Sequence, residues 1–257
     1  MARPLLALGG IVVIGVGVAI AFGWDVGSSV TRDATVSRQI RGVQLASDSG
    51  DVHIRTGTGP VRVHQKIDYY FRGEPGDAFH VEGDQLVLAD CGDNCDADFD
   101  VVVPAGVPVT GKSDSGSLDI AGVGSVDVTA DSGRAEVADV AGPVTLRLDS
   151  GSIDVHNAGD VKLHSDSGRV TADGVRGPVD ISADSGRVEL GLAQPANVKV
   201  KADSGSVELR VPADGSYRVI GDSDSGHRSV DIPQNPGPDP KTLDLNTSSG
   251  SVTVKAA

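Results

Sequence analysis

The sequence predicts an all-β protein: a flattened parallel β-solenoid of two-strand repeats behind one N-terminal transmembrane helix. Three observations predict this class: a recurring Asp-Ser-Gly triplet, apolar residues that alternate on both sides of each triplet, and an uncharged apolar segment near the N-terminus. The 257 residues are 39% hydrophobic but only 3% aromatic. The core is therefore expected to consist of small Val, Ala, Leu and Ile side chains, which suit a thin interior between closely packed sheets.

The N-terminal segment is the first element of this prediction. Residues 5–24 carry no charge, and about 20 apolar residues span a bilayer. Arg3 precedes the segment and Asp25 follows it, so the positive-inside rule places the rest of the chain outside the cytoplasm. Residues 1–24 are therefore expected to be a transmembrane anchor or a signal peptide. Single-pass location in the cell membrane and secretion after cleavage near residues 19–21 both stay open, as does a buried core helix.

The remaining chain divides by composition into three parts. Residues 25–42 are polar and are expected to form a stalk. Residues 43–112 hold five of the eight aromatic residues and are expected to form an N-terminal β cap or subdomain. Residues 113–257 are expected to form the Asp-Ser-Gly repeat β-solenoid, closed by a C-terminal cap.

The repeat itself predicts the architecture, because a near-constant step indicates one stacked structural unit. The triplet or a near variant ends at Gly50, Gly116, Gly133, Gly151, Gly168, Gly186, Gly205, Gly226 and Gly250. From Gly116 to Gly205 the successive steps are 17, 18, 17, 18 and 19 residues. A unit of about 17–18 residues has room for two short strands and two corners but not for a crossover helix.

Residues 178–190 show the logic of one unit. Val179 and Ile181 alternate with polar residues before the Ser185-Gly186 corner, and Val188 and Leu190 do so after it. Alternation with a period of two predicts strands with one buried face. Equivalent strands of successive units then pair in parallel, with an antiparallel sandwich of hairpins as the alternative. The predicted inward positions are Leu118, Ile120, Val137, Ile153, Val155, Val170, Val188, Leu190, Val207 and Leu209 on one sheet, and Val126, Val128, Val144, Leu146, Val161, Leu163, Val179, Ile181, Val198 and Val200 on the other.

The D/S-S-G-x-V-x-V units, together with DFDVVVPAGVPV at residues 98–109, resemble the bacterial family named putative adhesins, a β-strand-repeat domain of unknown function. The resemblance covers residues 40–257. It implies an extracytoplasmic module behind a transmembrane segment, with an adhesin-like role and no catalytic residues to carry over.

A row of aspartates is expected at the corner of successive units: Asp131, Asp149, Asp166, Asp184 and Asp203. Asp and Ser side chains stabilise tight turns by accepting backbone hydrogen bonds, and glycine takes the left-handed conformation there. The sharper hypothesis is a row of Ca²⁺ sites, because Ca²⁺ takes several oxygen ligands. Both readings stay open, and no other cofactor is predicted.

Two charged outer faces are also expected. One carries Asp119, Glu136, Asp154, Glu189 and Glu208, with Arg134, Arg169 and Arg187 two positions before the acidic residues. The other carries a more basic set, the candidate binding face: Arg147, Lys162, His164, Lys199 and Lys201. Solvated sheet faces carry charges in any case; the functional hypothesis is a surface for a cell-wall polymer or a protein partner.

The charge balance and the cysteines narrow the function further. The net charge of −14 argues against nucleic acid, whose binding needs clustered Lys and Arg.

Cys91 and Cys95 are expected to form a disulfide outside the cytoplasm, with a metal or redox site as the alternative.

No single residue stands out as a nucleophile, because Asp-Ser-Gly recurs as architecture, so no enzymatic activity is predicted. The sequence favours a non-catalytic cell-envelope binding module. A self-associating structural envelope protein and a glycan-active β-helix enzyme are the alternatives.

Overall fold

The structure, a computed structural model, describes residues 11–17, 27–70, 73–233 and 237–257, and these residues form 19 strands and no helix. The first nine strands are β1 (Ile11–Gly17), β2 (Gly27–Val36), β3 (Gly42–Ser47), β4 (Val52–Thr56), β5 (Val61–Tyr70), β6 (Phe79–Glu82), β7 (Gln85–Ala89), β8 (Cys95–Val103) and β9 (Pro108–Ser113). The next six are β10 (Ser117–Ala121), β11 (Ser125–Ala138), β12 (Val144–His156), β13 (Val161–Val175), β14 (Val179–Leu192) and β15 (Val198–Val211). The last four are β16 (Tyr217–Ile220), β17 (Ser223–Ser225), β18 (Arg228–Asp231) and β19 (Lys241–Ala256).

Each regular repeat is one long bent strand, not two separate strands as the sequence predicted. In β12 the alternation of buried residues changes phase between Leu148 and Ile153, and the three residues between Leu148 and Ser152 are exposed. The pairing of β12 with its neighbours nevertheless continues through Ser150 and Gly151. The chain therefore turns a corner without leaving the ladder, and both sides of the corner direct their apolar face inward. We call the two halves of the strand the pre-corner arm and the post-corner arm.

Successive long strands lie parallel and in register. Leu146 of β12 pairs with Leu163 of β13, which pairs with Ile181 of β14. Equivalent residues of each unit therefore stack in rows, so the parallel arrangement is confirmed and the antiparallel sandwich is wrong. All twenty predicted inward positions are buried in one core.

The corner glycines are required for two independent reasons. Gly186 has φ +131°, in the region that side-chain-bearing residues rarely adopt. A Cβ atom on Gly186 would also overlap the backbone carbonyl oxygen of Gly168, and Gly168 bears the same relation to Gly151. The triplets therefore stack glycine upon glycine, which explains why the third position does not vary in the array.

Short return segments close each coil between one post-corner arm and the next pre-corner arm. Asp139 and Asn157 take left-handed conformations with φ of 57° and 54°. The Asp139 N–H donates to the His156 carbonyl, and the Asn157 N–H donates to the Asp173 carbonyl, each at 2.9 Å. These bonds join neighbouring units, so hydrogen bonding between units continues around the coil.

The first triplet belongs to the stack and not to the predicted cap. Strand β3 pairs in parallel with β9, and β4 pairs in parallel with β10, on either side of the Gly50 corner. Residues 57–107 are therefore inserted between two adjacent units of the stack. Within the described residues we define the cap as β2, β5, β6, β7 and β8, and the array as β3, β4, β9–β15 and β19.

The predicted stalk is also corrected. Ten residues of β2 pair antiparallel with β5, and Val30, Ala34 and Val36 are buried. Their alternation makes one face of β2 apolar, so the segment joins the core of the cap.

Most of the predicted transmembrane helix lies outside the described residues, and the helix stays a prediction. Its described part, β1, pairs antiparallel with β2. Among the described residues no helix has the length and apolar character needed to cross a membrane.

At the C-terminal end, the order of the strands in the sheet differs from their order along the chain. Strand β19 lies between β15 and the short strands β16, β17 and β18, all of which pair with it in parallel. The last triplet is therefore inside the stack, and the interrupted strands form its outer edge. There the Arg228 guanidinium donates to the carbonyls of Gly221 at 2.5 Å and Ile220 at 3.1 Å. Arg228 thus satisfies backbone acceptors that an outer strand would leave open.

Candidate binding surface

The outer surface of the post-corner arms, the post-corner face, carries two straight rows of polar side chains. The arginine row contains Ser117, Arg134, Ser152, Arg169, Arg187 and Ser206, and the acidic row contains Asp119, Glu136, Asp154, Thr171, Glu189 and Glu208. Neighbouring members of a row are separated by the strand spacing, about 4.8 Å. The predicted acidic stripe is present, but Thr171 interrupts it.

Charges of the two rows largely compensate one another. Arg134 lies 3.0 Å from Asp154 on the next strand and 3.7 Å from Glu136 on its own strand. Arg187 lies 3.7 Å from Glu189. The arginines of these pairs are exposed, and surface ion pairs contribute only about 0–1 kcal/mol each. The arginines therefore remain available for exchange with an external charged group.

The acidic row continues into the cap as an alternation of carboxylates and imidazoles. Asp33, His64, Asp100, His53 and Asp119 occupy paired positions on five neighbouring strands. His64 Nδ1 lies 2.7 Å from Asp33 Oδ1, and His53 Nδ1 lies 3.5 Å from Asp119 Oδ2. Sequence reasoning missed this row because it depends on the order of the cap strands, and their order differs from the order along the chain.

In the cap, the ion pair of Lys66 with Asp68 changes the pKa of the lysine. Lys66 donates a hydrogen bond to Asp68 at 2.5 Å, and this bond raises the pKa of Lys66 above its ordinary value. Asp98 on the adjacent strand, 3.8 Å away, acts in the same direction.

The pre-corner face, formed by the outer surface of the pre-corner arms, contains the predicted candidate binding face but is not uniformly basic. Arg147 and His164 are neighbours, and Ser182 separates His164 from Lys201. In the parallel row, Asp180 stands between Lys162 and Lys199, and Asp244 follows Lys199. The five predicted residues therefore share one face, but opposite charges alternate in one of its rows.

The corner aspartates stack as predicted, one per unit at the edge between the two faces. Two of them contact a basic neighbour two positions earlier in their own strand: Asp166 lies 2.8 Å from His164, and Asp203 lies 4.0 Å from Lys201. Among the described residues, no group of three or more His, Cys, Asp or Glu side chains is placed to hold a metal ion. The Ca²⁺ hypothesis stays a prediction.

Cys91 lies in the loop between β7 and β8, and Cys95 is the first residue of β8. The structure joins Cys91 and Cys95 by a disulfide, with their Cα atoms 5.9 Å apart. The bridge closes the loop that leads into β8, which pairs with both β4 and β5.

Shallow depressions lie along the charged rows of both faces. A depression of about 460 Å³ on the post-corner face is lined by Arg134, Ser152, Asp154, Gly168, Arg169, Thr171, Arg187 and Glu189. Another, of about 290 Å³, lies on the pre-corner face and includes Arg147, Lys162, His164 and Asp180 among its lining residues. Both follow the rows, so they suit an extended ligand better than an enclosed small molecule.

These features define a class: a capped parallel β-solenoid with ordered charged rows on its outer faces. The chain belongs to the Toastrack DUF4097 family, whose model matches residues 29–255. A search of the curated proteins gives no match.

A solved structure supports the same fold. A putative adhesin from Parabacteroides distasonis is 16% identical, with 90% of this chain and 98% of that chain covered and a TM-score of 0.53. A putative adhesin from Parabacteroides merdae is 13% identical, with 89% and 96% covered and a TM-score of 0.49. The family and the adhesin-like resemblance predicted from the repeats are confirmed, and the likeness to the first structure concerns the fold alone.

Proposed function

We propose that this chain is a non-catalytic cell-envelope module, held at the membrane by its N-terminal segment, that binds an envelope polymer or a protein partner outside the cytoplasm. The observation that supports it is the register of the charged rows, which places equivalent side chains on successive strands at one fixed spacing. The name of the Parabacteroides distasonis protein of similar fold, putative adhesin, points the same way.

The backbone gives this surface its rigidity. The ladder continues through the corner, as in the pairing of Gly168 with Gly186, and the return segments are hydrogen-bonded between units. A ligand that repeats its own charged groups can therefore contact several strands at once without ordering the protein. Many weak contacts then add to a useful affinity.

Binding to insoluble envelope polymer tests the proposal directly. The full chain, in an uncharged detergent, would be sedimented with purified cell-wall polymer at low and at high ionic strength. We expect co-sedimentation at low ionic strength and release by salt, because exposed charges are screened within about 10 Å at 0.1 M salt. Equal retention at both salt concentrations, or none at either, would count against a role for the charged rows.

A second function, self-association, is favoured by one observation. The row Lys162, Asp180, Lys199 and Asp244 alternates in charge, so a second copy running in the opposite direction can set Lys against Asp. Exposed pairs of this kind contribute about 0–1 kcal/mol each, which is why polymer binding ranks first. Sedimentation velocity of the full chain decides: dimers at low ionic strength that are lost in Lys162→Asp would support self-association, and a monomer throughout would exclude this interface.

A further inference from the structure

Between β10 and β15 the acidic row is interrupted at one strand, β13. The third residue after the corner glycine is Glu136 in β11, Asp154 in β12, Glu189 in β14 and Glu208 in β15, but Thr171 in β13. Arg134 and Arg187 each pair with the acidic residue two positions later in their own strand, Glu136 and Glu189, whereas Arg169 is followed at that position by Thr171. The signal is readable in the sequence once the units are aligned on their glycines.

Arg169 is the side chain left without compensation. It is exposed, and its guanidinium makes no ion pair and no hydrogen bond with any residue that the structure describes. It pairs directly with Arg187 on the next strand, at the strand spacing of about 4.8 Å. Like charges at directly paired positions of neighbouring strands repel each other, and an anion bound between them would reduce that repulsion.

The surrounding depression has the polar groups that such an anion needs. Three arginines, Arg134, Arg169 and Arg187, line it together with two carboxylates, Asp154 and Glu189, a local balance of +1 in a chain of net charge −14. Ser152 and Thr171, which carry hydroxyl groups, also line the depression. Guanidinium forks bind the paired oxygens of phosphate and carboxylate groups, and hydroxyls donate to the remaining oxygens.

We infer that Arg169, Arg187 and Thr171 form an anion subsite on the post-corner face, and that it takes a phosphate or carboxylate group of a polyanionic envelope polymer. This assignment rests on the proposed function and deepens it by naming the ligand class and the face. It moves the principal contact away from the candidate binding face predicted from the sequence, where Asp180 already lies beside Lys162 and Lys199. The ligand's other anionic groups would extend along the arginine row towards Arg134.

Two substitutions distinguish binding at this subsite from attraction by the overall charge of the protein. Arg169→Gln removes the unpaired cation. Thr171→Glu restores the acidic row with the residue that the next strand carries at Glu189, so it should fold and occupy the subsite with an internal carboxylate. The matched control is Arg147→Gln, which changes the net charge as Arg169→Gln does but lies on the pre-corner face, in the row of His164 and Lys201.

Binding of the full chain, in uncharged detergent at low ionic strength, would be measured by calorimetry with two probes, inorganic polyphosphate and polygalacturonate. We expect at least one probe to bind, with affinity lowered about tenfold or more in Arg169→Gln and in Thr171→Glu and little changed in Arg147→Gln. The probe that binds more tightly identifies the anionic group.

Three results would overturn the subsite. Equal losses in Arg169→Gln and Arg147→Gln would show that only net charge matters. Loss confined to Arg147→Gln would place binding on the pre-corner face and leave the proposed function standing. Failure of the wild-type chain to bind either probe would reject the polyanion, while retention on cell-wall polymer in the sedimentation assay would still support the proposed function.

Discussion

In the array every unit repeats the same contacts, whereas the cap is built from strands that differ in direction, length and partner. The corner of the array is a stack of glycines, and its interior is filled by Val, Leu, Ile and Ala. In the cap, the buried amide of Gln65 donates to Asp77 Oδ1 at 2.6 Å and accepts from the Ala78 N–H at 2.9 Å. Arg32 donates to the Pro75 carbonyl and pairs with Glu74. The array therefore depends on identical backbone packing, and the cap on a specific polar network.

The contrast between array and cap predicts that the largest loss of stability follows substitution of a corner glycine. Gly186→Ala should lower the free energy of unfolding by more than about 3 kcal/mol, because the new Cβ is strained by φ and overlaps the backbone of Gly168. Gly83 in the turn between β6 and β7 is the control: its φ is +62°, and a Cβ there meets nothing within 4 Å. Gly83→Ala should therefore cost only about 1 kcal/mol. Urea unfolding of the full chain, followed by far-ultraviolet circular dichroism, compares the two. Equal losses would mean that φ alone, and not stacking, makes glycine necessary.

The same contrast explains how far sequence reasoning reaches. In the array, one rule relates every unit to the next, so alternation around each glycine predicts the buried positions and the charged rows. Alternation does not fix the strand direction, which the pairing of the strands shows to be parallel. The rule does not show that β19 enters between β15 and β16, because the Gly226 and Gly250 triplets look equivalent along the chain.

The cap offers no such rule. The alternating apolar residues of β2 are visible in the sequence, but nothing there selects β5 as their partner. The acidic and imidazole row from Asp33 to Asp119 was missed for the same reason. The interruption at Thr171, by contrast, was accessible from an alignment of the units, because it lies inside the array.

The polar network of the cap should give the next largest effect. Gln65→Leu removes two hydrogen bonds and leaves the Ala78 N–H unpaired in a buried site, so we expect a loss of about 2–3 kcal/mol. Gln44→Leu is the matched control, since Gln44 is exposed on β3 in the array; it should change the stability by less than about 0.5 kcal/mol. Urea unfolding checks both, and a harmless Gln65→Leu would refute the distinction between the two interiors.

The disulfide should stabilise the cap more than the array. A bridge between Cys91 and Cys95 closes a five-residue loop, for which loop-closure entropy gives about 2 kcal/mol. The double variant Cys91→Ala, Cys95→Ala should speed amide hydrogen exchange in β7 and β8 while β12 to β14 keep their protection. Reduction of the wild-type chain with dithiothreitol should reproduce the effect. Equal acceleration in the array would show that the two regions open as one unit.

The smallest predicted effect is a gain in stability, expected from a substitution of Ser165. Ser165 is buried, and its hydroxyl has no hydrogen-bond partner among the described residues. The equivalent positions of the neighbouring units are Leu148 and Ala183, which are apolar. Ser165→Ala should therefore raise the free energy of unfolding by about 1 kcal/mol, because an unpaired buried hydroxyl is costly and the methyl group fits the same space.

Ser47 supplies the matched control for Ser165. It is equally buried, one unit beyond Ser113, but its hydroxyl donates to the Ser49 carbonyl at 2.9 Å. Ser47→Ala should therefore lower the stability by about 1 kcal/mol. A loss of stability in Ser165→Ala would mean that its hydroxyl has a partner, such as a bound water, and that buried polar contacts stabilise the array at more positions than Ser47. The contrast between array and cap would then be one of degree, because both regions would depend on buried hydrogen bonds.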